Sequence, residues 1–400
     1  MKVLVINAGS SSLKYQLIDM DNESVIAKGG CERIAIEGSF LKFKYNGEDV
    51  VITEPMPTHS EAIKLVLDTL VSEKYGFIKS MDEIDAVGHR VLHAGEMFNG
   101  PVLGTEENIE KCLSIKELGP LHQVPNIAGV RACKEVMPNT PMVLVFDTTF
   151  HSTMPEKAYI FGIPYELYTE HKIRRYGFHG TSHRFVSNEA INYLGLEGKN
   201  SKIITCHLGN GSSISAVKDG KCVDTSMSFT PLGGVPMGTR SGDLDASITE
   251  FIGRKLGMDA TETLNYCNKK SGMLGISGIS SDFRDLRNAA SEGNHRAELA
   301  LDIFAYSVKK FIGSYSAALG GVDCLVFTAG IGENDGNIRR MVCEDLEYLG
   351  VEIDMDKNNE PNNGKIRDIT KQGGKVKVLV IPTNEELVIA RDTLKVAFGK

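Results

Sequence analysis

Near the N-terminus the apolar run Val3-Leu4-Val5-Ile6 leads into Asn7-Ala8-Gly9-Ser10-Ser11-Ser12-Leu13-Lys14. Midway along, Ile203-Ile204-Thr205-Cys206-His207-Leu208 leads into Gly209-Asn210-Gly211-Ser212-Ser213-Ile214-Ser215. Both stretches read as a buried strand, a turn of small residues and a second strand. Such a turn offers backbone N–H groups and hydroxyls without side-chain bulk, which suits close approach to a phosphate. Two of them, each opening one half of the chain, predict a duplicated nucleotide-binding fold whose phosphate loops face each other across a cleft.

The chain of 400 residues is too long for one ordinary core and predicts two domains. Further strand-like runs fall near 84–92, 142–147, 322–328 and 376–381, and helical patterns lie at 61–70 and 295–319. Strands alternating with helices indicate an α/β class, and the hairpin at 3–19 makes the sheet mixed. The prolines and weak periodicity of 150–164 place a domain junction near 150. The expected division is 1–150, joined by a C-terminal helix 386–400, and 151–385.

A net charge of −8 argues against a general nucleic-acid surface and leaves room for a local basic anion site. The 8 cysteines are scattered without a Cys-x-x-Cys pair, as expected of reduced buried thiols. The first residues enter a strand directly and no apolar run reaches membrane-spanning length, so a cytoplasmic protein without a membrane partner is expected.

Neither Gly-x-x-x-x-Gly-Lys-Ser/Thr nor a strand-to-helix Gly-x-Gly-x-x-Gly occurs, which argues against a P-loop or dinucleotide fold. A third glycine loop, Thr328-Ala329-Gly330-Ile331-Gly332-Glu333-Asn334, follows the strand ending at Phe327, where open α/β sheets bind ligands. Arg90 ends a strand, and Arg240 sits within the loop Gly233–Asp243, so these are the expected anion clamps. His179 and His183 have helical metal-pair spacing, but Gly180 between them disfavours that reading. Asp147 closes the strand at 142–146, where it could serve function or cap a turn.

Together Asn7–Lys14, His207–Ser213, Pro236–Asp243 and Asn384-Glu385-Glu386-Leu387 resemble the signatures of the acetate and propionate kinases, in register from residue 2 to about 395. The resemblance implies a duplicated actin/hexokinase-like (ribonuclease H-like) fold, normally a homodimer. The implied reaction moves a phosphoryl group between ATP and acetate, giving ADP and acetyl phosphate, with Mg2+ or Mn2+. Propionate or butyrate is the alternative acceptor. By the same resemblance Asn7 and Glu385 fall on metal positions and Lys14 on an ATP contact. Arg90 holds the carboxylate, and Leu92, Leu121, Phe178 and Pro231 surround the acyl chain. The segments His207-Leu208-Gly209-Asn210-Gly211, Asp282-Phe283-Arg284 and Gly330-Ile331-Gly332-Glu333-Asn334 bind nucleotide. Asp147 is the acid/base residue, and His179 and Arg240 stabilise the transition state.

The chemistry itself refines one role. A carboxylic acid has a pKa near 4 and arrives ionised, so its phosphorylation needs no base. Asp147 is therefore expected to orient Arg90, Arg240 or metal-bound water. A sugar kinase would need a base to activate a hydroxyl, and a chaperone or filament subunit of this fold would leave Arg90, His179 and Arg240 without an anionic substrate. Asn384 also reads as a helix cap, with Glu385 in the first turn favoured by the helix dipole.

Overall fold

The computed structural model describes residues 1–119 and 122–399. It contains two compact units, one formed by residues 1–149 with the segment from Asn384 onward, the other by 150–383.

The first unit is built on strands β1 (Lys2–Ala8), β2 (Ser12–Asp19), β3 (Ser24–Glu32), β4 (Phe40–Tyr45), β5 (Glu48–Thr53), β6 (Ala86–Val91), β7 (Val102–Leu103) and β8 (Met142–Phe146). They form one sheet in the order β5-β4-β3-β2-β1-β6-β8-β7. β1 runs antiparallel to β2 and parallel to β6, which is parallel to β8. A central strand is covered on both faces, so Val3-Leu4-Val5-Ile6 is apolar without alternation and wholly buried. Burying each such side chain is worth about 1.5–3 kcal/mol.

One face of this sheet, carrying Leu4, Ile6, Leu13 and Tyr15, joins the core formed with helices His59–Leu70 and Gln123–Val136. The opposite face, carrying Val3, Val5, Val143 and Val145, is covered by the C-terminal helix Glu385–Phe398 through Ile389 and Ala390. That helix lies close enough to β6 that any Cβ at position 88 would collide with Thr393 and Ile389, so Gly88 is required there.

The second unit holds β9 (Lys202–Leu208), β10 (Ser212–Lys218), β11 (Lys221–Thr225), β12 (Cys324–Thr328), β13 (Arg367–Asp368) and β14 (Lys377–Val380), in the order β11-β10-β9-β12-β14-β13. β9 is antiparallel to β10 and parallel to β12, which is parallel to β14. Both sheets thus contain the same arrangement, β3-β2-β1-β6-β8 in one and β11-β10-β9-β12-β14 in the other, a three-stranded antiparallel meander followed by two parallel strands. The duplication suggested by the two turns extends through the whole sheet core. Helix His295–Leu319, ended by Gly320, covers one face, and helix Gly180–Leu194 covers the other through Val186 and Ala190.

The strand-like runs read from the sequence do not include β3, β4 and β5, although β5 carries Val50-Val51-Ile52. β4 and β5 form an edge hairpin turning on Asn46-Gly47, both at positive φ, which is the favoured two-residue turn. The edge strand β5 opens on Glu48 and Asp49, and Lys42 of β4 pairs with Asp49 at 2.8 Å, so charge lies along this edge.

Candidate functional site

In the first unit, register places Lys14 opposite Asn7 on adjacent strands, and Ile6 beside His89, the residue before Arg90. Lys14 and Asn7 therefore share a face of the sheet, and Arg90 lines the same cavity as both. Asp147 follows β8 two residues beyond Val145, which itself pairs with Arg90. Arg90 donates from Nε to Asp147 Oδ1 at 2.8 Å and from Nη2 to Oδ2 at 2.6 Å. Asp147 is only 1% exposed. Arg90 is held above the usual arginine range, first by the Asp147 carboxylate and more weakly by Glu385 and Glu386. The pair occupies one edge of the guanidinium, and among the described residues no hydrogen bond engages Nη1.

The loop after β6 is fixed by amide side chains from helix Gln123–Val136. Asn126 accepts from the Leu92 N–H at 2.9 Å and donates to the Ala8 carbonyl. Gln123 donates to the His93 carbonyl at 3.0 Å. Asn126 therefore couples Leu92 to the first small-residue turn. Leu121 lies outside the described residues.

Asn7, Lys14, Arg90, Glu385 and Glu386 line one cavity of about 400 Å³ in this unit. Asn384 caps the C-terminal helix by accepting from the Leu387 N–H at 3.1 Å, which brings Glu385 into the first turn. The capping and metal readings of this segment are compatible. Asn7 and Glu385 offer hard oxygen donors suited to Mg2+ or Mn2+. Among the described residues no three His, Cys, Asp or Glu side chains are grouped as a protein cage. A metal here would take its remaining oxygens from water and nucleotide, as Mg2+ commonly does.

In the second unit, Gly209 and Asn210 of the turn, the segment 281–284, and Gly330, Ile331, Asn334 and Asp335 of the third loop line a single cavity of about 560 Å³. All three expected nucleotide segments meet there. β9 and β12 run parallel, with His207 paired to Thr328, so the loops leaving both strands emerge at the same sheet end. Within these segments the side chains divide. Leu208 and Phe283 are buried, and Phe283 packs edge-on against Phe304 at 4.7 Å. Glu333 braces its own loop, accepting from Ala329 N–H at 2.9 Å and Thr383 N–H at 3.1 Å. The Gly332 carbonyl accepts from Arg339 at 2.8 Å. Asp282 caps helix Phe283–Ser291, and its hydrogen bonds with Arg284 push it down to about 2. Ala329 has φ +64, a strained value for a residue with a Cβ, directly at the loop. Arg287, paired with Asp335 at 3.0 Å, lines the cavity too but carries no motif that marks it in sequence.

Arg240 stands on a loop tied to the second turn through the Gly238 N–H donating to the Asn210 carbonyl at 3.1 Å. Its Nη1 donates to the Pro231 carbonyl at 3.3 Å. Among the described residues no carboxylate pairs with it, and burial holds it below the usual arginine range. His179 has φ +56 at the N-cap of helix Gly180–Leu194, a strained placement of roughly 1–3 kcal/mol. Its ring stacks on His207 at 4.2 Å. A Cβ on Gly211 would lie 3.4 Å from His179 Nε2 and 3.5 Å from Arg240 Nη1, so turn, imidazole and guanidinium converge. Phe178 is buried, its carbonyl accepting from His151 Nε2 at 2.8 Å. His183 has both ring nitrogens on hydroxyls, Thr205 and Ser213, each at 2.7 Å, so it does not form a metal pair with His179.

The acetokinase family pattern matches residues 2–391. The chain belongs to the acetokinase family. It is 59% identical over 398 residues to the acetate kinase of Treponema denticola, covering 98% of this chain and 99% of that one. It is 57% identical over 394 residues to the acetate kinase of Clostridium kluyveri, covering 98% and 97%. The crystal structure of Porphyromonas gingivalis acetate kinase superposes with a TM-score of 0.95 at 48% identity, covering 99% of each chain. A propionate kinase from Francisella tularensis subsp. tularensis SCHU S4 gives 0.91 at 41% identity, covering 98% and 99%. The acetokinase fold is therefore the fold of this chain, over almost its full length.

Proposed function

We propose that this acetokinase transfers the γ-phosphoryl group of ATP directly and reversibly to the carboxylate of acetate, giving ADP and acetyl phosphate. The observation that carries this reading is Arg240, a half-buried cation without a carboxylate partner among the described residues, set against a phosphate-type turn and His179. Such a cation is stabilised by an anionic ligand.

Bringing an anionic acceptor to an anionic phosphoryl group is the central difficulty, and positioning with charge neutralisation is the answer. Arg90 binds the acetate carboxylate through the edge left by Asp147, and Asp147 fixes the guanidinium plane. Arg240 and His179 donate to the oxygens of the transferring group, whose charge shifts during transfer. The Gly209–Gly211 turn, Asp282–Arg284 and Gly330–Asn334 hold the nucleotide, with Lys14 as a further phosphate contact. Mg2+ or Mn2+ held through Asn7 and Glu385 supplies charge neutralisation when bound. Leu92, Leu121, Phe178 and Pro231 are the proposed acyl-chain contacts.

The greater similarity to the acetate kinases favours acetate over propionate or butyrate. An acyl-phosphate trapping assay with acetate, propionate, butyrate and glucose tests this. Highest kcat/KM with acetate is expected, and activity confined to glucose would overturn the reading.

We further propose a homodimer. Helix Ala246–Leu256 is strongly amphipathic, yet Ile248, Phe251 and Leu256 are exposed, and a second copy would cover them. Sedimentation of the native chain and of Phe251→Asp tests it. A cytoplasmic location is proposed from the supply of ATP and from eight free, buried thiols.

A further inference from the structure

A chain of buried hydrogen bonds lies behind His179. Its Nδ1 is 2.8 Å from Ser213 Oγ, and the same oxygen is 2.7 Å from His183 Nε2. The other nitrogen of His183 is 2.7 Å from Thr205 Oγ1. Ser213, His183 and Thr205 are all 0% exposed. Burial, with the His151 and His207 rings nearby, holds His183 well below the usual histidine range and therefore neutral.

A neutral imidazole has one N–H and a hydroxyl has one O–H, so these groups cannot be oriented independently. Thr205 Oγ1 has no other side-chain partner among the described residues, and Ser213 Oγ has none beyond the two imidazoles. If His183 donated to Thr205, the buried threonine hydrogen would be left without an acceptor, at a cost of about 1–3 kcal/mol as such groups go. The satisfied polarity runs outward. Thr205 donates to His183 Nδ1, His183 Nε2–H donates to Ser213, and Ser213 donates to His179 Nδ1. The last acceptor must then be unprotonated.

We infer that the buried chain Thr205–His183–Ser213 sets His179 as the tautomer protonated on Nε2, the edge that lies beside Gly211 and Arg240. The inference rests on the proposed function in one respect, that the oxygen met by this N–H belongs to the transferring phosphoryl group. The ring thus meets the phosphoryl oxygen as a neutral donor, and Arg240 carries the positive charge. Ser213 and His183 are positioning residues that act through His179.

The test uses the full chain labelled with 15N in its imidazoles, with two-bond proton–nitrogen correlation spectra near neutral pH. His179 is assigned by the signal lost in His179→Gln. The wild-type ring is expected to show a protonated Nε2 and a bare Nδ1. In Ser213→Ala this preference should be lost, and Ser213→Thr, which keeps the hydroxyl, should restore it. Thr205→Val should weaken it from the far end and covers the case in which Ser213→Ala fails to fold. Ser213→Ala should lower kcat about 5–10-fold with nucleotide KM largely kept, and should have no further effect in a His179→Ala background. A protonated Nδ1 in the wild type, an unchanged tautomer in Ser213→Ala, or an equal loss of kcat without His179 would each overturn the inference. The spectra require no turnover. A chain with the expected tautomer that forms no acyl phosphate would sink the functional reading and leave the relay standing.

Discussion

In the first unit the penultimate residue of the central strand is Asn7, and the helix covering that sheet face begins at Glu385. In the second unit the corresponding residues are His207, also penultimate in its strand, and His179, which caps the covering helix. The cross-strand neighbours differ in the same sense. Asn7 lies opposite Lys14 and lines a cavity with Arg90, whereas His207 is flanked by Ser213 and Thr328. The turns differ in length as well. Ala8 pairs with Leu13, whereas Leu208 pairs with Ser212, leaving one residue fewer between the paired positions of the second turn. One scaffold, used twice, thus presents oxygen donors with a clamped arginine in one unit, and imidazoles, hydroxyls and an arginine without a carboxylate partner among the described residues in the other. The sheet dictates where these side chains emerge, and the residue types dictate whether a cation or an anion is favoured there.

The two arginines offer the sharpest way to break this comparison. Arg240→Ala should lower kcat by about 10²–10³ with nucleotide affinity largely kept, because the interaction strengthens in the transition state. Arg90→Ala should raise the acetate KM as well as lower kcat. It also strands the buried Asp147 carboxylate, for which loss of a partner typically costs about 3–5 kcal/mol. Identical kinetic behaviour of the two variants would remove the division of roles.

Asp147→Asn sharpens the same contrast. If Asp147 only orients Arg90, the variant should show a lower rate, a weaker acetate affinity and a pH–rate profile of unchanged shape. Loss of an acidic limb with acetate binding intact would instead establish proton transfer. For the oxygen-donor half, Glu385→Ala should weaken the Mg2+ dependence of turnover about tenfold or more, as removal of a metal-site partner commonly does. Retained metal affinity with a lowered melting temperature would leave Glu385 only its helix-terminal role.

The smallest effect concerns the acyl chain. A methylene forced into a filled pocket costs about 1–3 kcal/mol, more than the ~0.8 kcal/mol gained by burying it. Acetate should be preferred to propionate by about 10–200-fold at most. Leu92→Ala should relax that ratio without changing ATP affinity. Measured kcat/KM values for acetate, propionate and butyrate decide it, and an unchanged ratio would take Leu92 out of the pocket.

Local signals were legible where chemistry and backbone coincide. The two turns and the glycine loop at 330–334 each combine small residues with a strand end, and the loop at 233–243 sets one arginine among glycines and a proline; such patterns are local by nature. The Asn46-Gly47 turn is also written in the chain, between the short strands β4 and β5. Side-chain destinations were less legible. Glu333 lies in a nucleotide-type loop yet spends its carboxylate on Ala329 and Thr383, and Phe283 lies between two polar residues yet faces the core.

By itself the sequence determined the duplication, the α/β class and the types of group available for phosphate, carboxylate and metal. Hydrophobic period and turn chemistry act over a few residues and survive without a partner. Tertiary structure alone decided the pairings. Asp147 meets Arg90 across 57 positions, and His183 meets Ser213 across 30. Which of many acids, hydroxyls and imidazoles become partners follows from strand register and from the helix packed over each sheet. Burial then makes each pairing obligatory, because a polar group removed from water must find its complement within the fold.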